Sequence, residues 1–100
     1  MNVPLPAGSG DAEYAEAFDE IVEPAVRDFE PGLVLVAAGF DAHREDPLAE
    51  MALSAVGFRE LARRCSALGP RVAAVLEGGY NLETLPGLVD AALEGFSSEI

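Results

Sequence analysis

Two predicted loops carry polar side chains directly after runs of apolar residues. Asp41 follows the apolar run 33–38, and Tyr80 follows the apolar run 72–76. A carboxylate in such a place can ligate a metal ion, hold a sugar hydroxyl or cap the next turn. A phenol can donate a hydrogen bond to a developing oxyanion, or it can cover the end of the core. The residues leave these alternatives open and make Asp41 and Tyr80 the leading candidates for chemistry.

Gly78 and Gly79 stand immediately before Tyr80. Because glycine has no Cβ, the backbone here can approach another group more closely than other residues allow. The pair therefore belongs to the same candidate site as the phenol that follows it.

Two other residues have side chains that bind metals or act as nucleophiles. His43 gives an Asp-x-His spacing with Asp41, which could form a two-ligand metal clip, although a lone histidine in a loop is more often solvated. Cys65 falls on the apolar face of a predicted helix, where a small buried side chain is the expected role. Because it is the single cysteine, an internal disulfide is excluded and a cytoplasmic location is favoured.

The segment Gly8-Ser9-Gly10 follows a possible short strand and precedes a predicted helix, as a dinucleotide-binding loop does. In that hypothesis, Asp41 would bind the ribose. Glu13 stands where the third glycine is required, and it adds negative charge at the place where a pyrophosphate would bind. A nucleotide-binding α/β module that uses Gly8, Gly10 and Asp41 is therefore the weaker alternative.

The spacing of apolar residues predicts alternating strands and helices. In order, these are a short edge strand at Val3 and Leu5, a helix capped by Asp11 and kinked at Pro24, a strand at 33–38, a helix at 55–68, a strand at 72–76 and a helix capped by Thr84. This alternation is typical of an α/β protein with a parallel sheet. Because parallel strands end at the same edge of a sheet, we expect the Asp41 and Tyr80 loops to lie side by side.

The chain is strongly acidic. Its 100 residues include 18 Asp and Glu against 6 Lys and Arg, which gives a net charge of −12. Such a surface repels phosphate backbones, so nucleic-acid binding is not expected. No apolar run is long enough to span a bilayer, so membrane binding is not expected either. The charge would tolerate cationic ligands such as polyamines or basic peptide tails, although solubility alone is the simpler explanation.

Several motifs together resemble the C-terminal part of the zinc-dependent histone deacetylase family, which includes bacterial acetylpolyamine amidohydrolases and acetoin-utilisation-type proteins. The matching segments occur in family order: residues 2–5, Gly8-Ser9-Gly10-Asp11 with Tyr14, Gly39-Phe40-Asp41-Ala42-His43 with Asp46-Pro47-Leu48, and Leu76-Glu77-Gly78-Gly79-Tyr80-Asn81. Each motif is weak alone, but the set is specific and covers nearly the whole chain. The resemblance implies part of an arginase-like, three-layer α/β fold with a parallel sheet.

The resemblance also implies roles for the candidate residues. Asp41 would be one of three zinc ligands, Tyr80 the transition-state phenol, and Gly78 and Gly79 part of the substrate pocket. His43 is not a zinc ligand in this family, so the two-ligand clip is dropped. The implied reaction is hydrolysis of an acyl amide on acetylated lysine or acetylpolyamine, with zinc as cofactor and a histidine as general base and acid.

The other two zinc ligands and the catalytic histidines lie upstream in this family. We therefore expect residues 1–100 to be the C-terminal segment of a single deacetylase-like domain, inactive without a missing N-terminal half or partner chain. Three strands would also leave an apolar strand edge exposed. A non-catalytic remnant that only packs against a partner stays open as a further alternative.

Overall fold

The computed structural model describes residues 1–98 as an α/β arrangement, and the predicted alternation from residue 11 onwards is confirmed. Its elements are α1 (Asp11–Ala17), a π-helical turn (Phe18–Val22), α2 (Glu23–Phe29), β1 (Val34–Ala38), α3 (Ala55–Ser66), β2 (Val72–Leu76) and α4 (Leu85–Phe96). Among these residues, no helix is long and apolar enough to cross a membrane.

The predicted first strand at Val3 and Leu5 is wrong, because residues 1–6 have no regular secondary structure. Pro4 and Pro6 cannot donate backbone hydrogen bonds, which removes every second donor that a strand here would offer. The nearest pairing is an isolated parallel bridge between Gly10 and Ala52. The sheet of the described residues therefore has two strands.

The helix predicted from Asp11 forms, but it is divided at Pro24. Proline has no backbone N–H to donate to the preceding turn, and the helix widens into the π-helical turn directly before α2. The expected N-cap is also wrong, since Gly10 caps α1. Asp11 instead accepts hydrogen bonds from the backbone N–H of Ser54 at 2.9 Å and from its hydroxyl, which links α1 to the start of α3.

β1 and β2 pair in parallel, with Val34 opposite Val72 and Ala38 opposite Leu76. Backbone hydrogen bonds continue beyond the strands, from Glu77 N–H to the Ala38 carbonyl at 3.0 Å and from Phe40 N–H to the Gly78 carbonyl at 2.8 Å. The two candidate loops therefore leave the same edge of the sheet side by side, as the sequence predicts.

The core lies between the α3–α4 pair and the loop that follows β1. Its buried side chains are Phe40, Leu53, Phe58, Ala62, Leu88 and Ala92. The rings of Phe40 and Phe58 are 5.1 Å apart, which ties the start of the Asp41 loop to α3. Gly95 lets α3 and α4 approach closely, because a Cβ there would clash with the Arg59 carbonyl oxygen.

The sheet is apolar but poorly covered by the described residues. Leu35 of β1 is 70% exposed and Val75 of β2 is 60% exposed. An apolar cleft of about 310 Å³ also lies beside β1, lined in part by Phe18, Val36 and Leu61. Exposed apolar strands, which the sequence predicts for an incomplete sheet, are thus observed.

Candidate functional site

The Asp41 carboxylate lies against the backbone of the second loop. A Cβ added to Gly78 would stand 3.0 Å from both Cγ and Oδ1 of Asp41, and one added to Gly39 would stand 3.0 Å from Oδ1. The two glycines therefore leave the space in which this carboxylate sits. The prediction that a glycine of the second loop permits a close approach is confirmed at Gly78.

Asp41 also affects the nearby Tyr14. Burial raises the pKa of the Tyr14 hydroxyl, and the negative charge of Asp41 raises it further. The hydrogen bonds within residues 1–98 include two backbone donors to the carboxylate of Asp46 but none to that of Asp41. Asp41 is thus an anionic oxygen donor whose lone pairs the described residues leave free, which suits a ligand for a dication.

His43 holds the first loop in place from inside the protein. It is only 6% exposed, so the expectation of a solvated side chain is wrong. The segment pairs with Leu53 through hydrogen bonds from Arg44 N–H to the Leu53 carbonyl at 3.0 Å and from Leu53 N–H to the Ala42 carbonyl at 3.1 Å. The Nδ1 atom of His43 accepts a hydrogen bond from Glu45 N–H at 3.3 Å. These contacts give His43 a structural role in holding the first loop.

Asp46 connects the two loops, a role that sequence reasoning missed. Its Oδ1 accepts a hydrogen bond from Leu48 N–H at 2.8 Å, and its Oδ2 accepts one from Tyr80 N–H at 2.8 Å. Burial acts to raise the pKa of Asp46, but the N–H groups of Leu48, Tyr80 and Ala49, together with His43, hold it below its ordinary value. In the sequence, Asp46-Pro47 indicates a turn or the start of a helix, and no local pattern gives the contact with Tyr80.

The second loop needs a glycine before Tyr80. Gly79 has a φ of +137°, a region that disfavours side chains, and a Cβ there would lie 2.8 Å from Cδ1 of Leu85. The side chain of Tyr80 itself is 52% exposed. A second contact with the first loop comes from Asn81, whose Nδ2 donates to the Glu45 carbonyl at 2.9 Å.

The other candidates take structural roles. No strand precedes Gly8, and the Glu13 carboxylate already accepts a hydrogen bond from Gly10 N–H at 2.7 Å, at the place where a nucleotide phosphate would bind. The nucleotide-binding alternative therefore has no support. Burial raises the pKa of the Cys65 thiol to about 11, which keeps it protonated and makes it a poor nucleophile.

The described residues do not form a complete metal site. Residues 1–98 contain no group of three or more His, Cys, Asp or Glu side chains that could hold an ion. A catalytic zinc site takes about three protein ligands. Asp41 fits the chemistry of one such ligand, but residues 1–98 do not fit a whole site, so further ligands would have to come from outside this range.

The fold agrees with comparison to known proteins. The histone deacetylase domain model matches residues 1–96, so the chain belongs to the histone deacetylase family. A probable deacetylase of Archaeoglobus fulgidus is 43% identical over 96% of this chain. A histone deacetylase-like amidohydrolase of Pseudomonas aeruginosa is 41% identical over 97% of it.

A solved structure gives the same result at the level of the fold. The crystal structure of acetylpolyamine aminohydrolase from Burkholderia pseudomallei superposes with a TM-score of 0.88 at 33% identity, over 98% of this chain. The chain spans only 29% and 27% of the two sequence relatives and 28% of the crystallised chain. The match establishes the fold class of this chain. Because the chain spans less than a third of each of these proteins, the match does not extend their activity to it.

Proposed function

We propose that this chain is the C-terminal segment of a zinc-dependent amidohydrolase that hydrolyses acyl amides of lysine or polyamines. Asp41 contributes one zinc ligand and Tyr80 contributes the hydrogen-bond donor to the oxyanion. The observation that carries the proposal is the contact of the Asp41 carboxylate with Gly78, two residues before Tyr80, at one edge of the sheet. Membership of the histone deacetylase family supports it.

Each residue has a distinct task in this proposal. Asp41 presents an anionic oxygen from a loop that the core holds. Zinc, when bound, would polarise the amide carbonyl and lower the pKa of a water molecule. Tyr80 donates its phenolic O–H toward the carbonyl oxygen as negative charge develops there. Because the Tyr80 side chain is half exposed, it is accessible to a substrate that enters from solvent.

The remaining groups come from outside the chain. Residues 1–98 provide one candidate ligand, and the single histidine, His43, is buried in a structural role. The general base and the other ligands therefore belong to a further part of the protein or to a partner chain. The exposed apolar strands and the cleft beside β1 support this, because uncovered apolar surface of this kind is normally buried against other protein.

The substrate is proposed to be a cationic amine that carries an acyl group. The net charge of −12 favours positively charged molecules. One similar protein is named an acetylpolyamine aminohydrolase, which extends to this chain only as a proposal. The single cysteine keeps the cytoplasm as the proposed compartment.

A second candidate is a non-catalytic segment that packs against a partner through its sheet. The exposure of Leu35 and Val75 fits such packing but does not separate the two candidates, since either function would cover these side chains. The two candidates differ in what they require of Asp41. Only the enzyme needs the carboxylate as a ligand.

The test is Asp41→Asn in a complete enzyme that contains this segment. The substitution replaces an anionic oxygen with a neutral amide, a poorer ligand for a dication, so we expect zinc to be lost. Metal content by mass spectrometry is the measurement. Asp90→Asn is the matched control, because Asp90 is exposed on α4. Unchanged zinc occupancy in Asp41→Asn would rule out the ligand assignment.

A further inference from the structure

We propose that Asp46 is a positioning residue for Tyr80: its carboxylate fixes the backbone from which the phenol reaches the substrate. The inference rests on the proposed function, because it assigns Asp46 an effect that acts through Tyr80. It adds that a residue of the first loop, which follows β1, sets the position of the Tyr80 phenol in the second loop.

The geometry places Asp46 between the two loops. Its side chain is 8% exposed, and each of its two oxygens accepts one backbone N–H at 2.8 Å. One donor is Leu48 of its own loop and the other is Tyr80 of the second loop. A single buried carboxylate therefore fixes the position of one loop relative to the other.

The phenol depends on this backbone contact because its own side chain has little around it. Tyr80 is half exposed, so few side chains surround it. It follows Gly79, whose φ of +137° is a backbone conformation that residues with a side chain rarely adopt. On the other side, Asn81 donates to the Glu45 carbonyl at 2.9 Å and accepts a hydrogen bond from Glu83 N–H at 3.0 Å. Tyr80 is thus held by a backbone hydrogen bond at its own N–H and by the neighbouring side chain.

A carboxylate is needed to accept from both donors. Aspartate offers acceptor lone pairs on two oxygens, whereas asparagine offers one oxygen acceptor and one NH₂ donor. Asp46→Asn therefore leaves either Leu48 N–H or Tyr80 N–H facing another donor. Since a misplacement of about 1 Å can cost on the order of 10²-fold in rate, a partial release of the Tyr80 backbone should be visible in kcat.

The experiment is a double-mutant cycle in the complete enzyme, with Asp46→Asn measured alone and together with Tyr80→Phe. In the presence of Tyr80, Asp46→Asn should lower kcat about tenfold and change KM less than about threefold. In the Tyr80→Phe background, the same substitution should change kcat less than about twofold, because the group through which it acts is absent. Zinc content should stay unchanged, and Asp90→Asn serves as the neutral control.

The outcomes separate this inference from the proposed function. If Tyr80→Phe alone leaves kcat unchanged, the oxyanion role of Tyr80 is wrong. If Tyr80→Phe lowers kcat but Asp46→Asn has the same effect in both backgrounds, or none, the positioning role is overturned. Should Asp46→Asn fail to fold, Asp46→Glu repeats the cycle with a carboxylate displaced by one methylene. Failure of both variants to fold would assign Asp46 to folding alone and would overturn the proposal.

Discussion

The two loops at the edge of the sheet are held in different ways. The loop after β1 is inserted into the core, where Phe40, His43 and Asp46 are all buried and the backbone pairs with Leu53. The loop after β2 lies at the surface, with Tyr80 half exposed and Leu82 80% exposed. The second loop takes its position from the first, through the sheet hydrogen bonds and the Asp46 carboxylate.

The Asp41 loop is thus the rigid part of the candidate site. The Tyr80 loop is the dependent part, because its position depends on contacts with the first loop. The core of this chain determines where Asp41 stands, so the proposed metal ligand is held in a fixed place. Polar contacts and two glycines determine where Tyr80 stands. Substitutions in the second loop should therefore affect catalysis with little effect on stability, whereas those that reach Asp41 should affect metal binding.

The largest effect is expected from Tyr80→Phe in a complete enzyme. Loss of one oxyanion donor should lower kcat on the order of 10²–10³-fold and leave KM nearly unchanged. The thermal unfolding midpoint should stay the same, because the exposed hydroxyl adds little to the fold. Steady-state kinetics on acetyl-lysine and acetylpolyamine substrates provide the measurement. A kcat within about threefold of the unsubstituted enzyme would make Tyr80 a cover for the core and nothing more.

A smaller effect is expected from Gly78→Ala, which adds a methyl group to the second loop where it faces Asp41 of the first loop. The new Cβ would stand 3.0 Å from Cγ and Oδ1 of Asp41, so the carboxylate must move. Displacing the surroundings of a metal ligand typically costs about 10–100-fold in metal affinity, and we expect zinc affinity to fall within that range. A competitive chelator titration measures it.

Gly87→Ala is the matched control for that substitution. Gly87 lies in α4, and apart from its chain neighbours and the adjacent helix backbone an added Cβ would meet no atom within 4 Å. Zinc affinity should be unaffected there. Equal losses in the two variants would mean that the contact between Gly78 and Asp41 has no part in metal binding.

The smallest effect is expected on the stability of the fold at acid pH, through the Asp46 carboxylate that joins the two loops. Because the folded protein holds the pKa of Asp46 below its ordinary value of 3.8, the ionised carboxylate stabilises the fold. This contribution is fully present above the unfolded pKa and is lost as the pH falls through the folded pKa. Asp46→Asn should therefore flatten the dependence of unfolding free energy on pH below about 4. Urea unfolding of zinc-free protein at a series of pH values checks this, and an unchanged slope would contradict it.

Much of the fold was predictable because its elements have strong local patterns. The apolar runs at 33–38 and 72–76 became parallel strands, since uninterrupted apolar residues suit a sheet that is covered on both faces. The amphipathic spacing in residues 55–68 and in the residues after Thr84 gave α3 and α4. The shared edge of the Asp41 and Tyr80 loops followed from the direction of the strands.

Contacts between distant residues were not predictable. Nothing local to Asp46 indicates a bond to Tyr80, and nothing local to Asp11 indicates that it holds Ser54 instead of capping its own helix. His43 was expected in solvent, because burial of a loop residue depends on the partner, Leu53, that the fold brings to it. Val3 and Leu5 failed as a strand because a strand needs a neighbour as well as an apolar pattern.

We propose that this chain carries one zinc ligand, Asp41, and one oxyanion donor, Tyr80, of a site that other residues complete. The most direct test is to purify the 100-residue chain, add zinc, and assay acetyl-lysine and acetylpolyamine substrates. The same assay is then repeated with the separately expressed upstream part of a complete enzyme. We expect no metal-dependent turnover from the chain alone, because residues 1–98 supply one candidate ligand and their single histidine is buried, and measurable turnover from the mixture. Metal-dependent turnover by the chain alone would contradict the account.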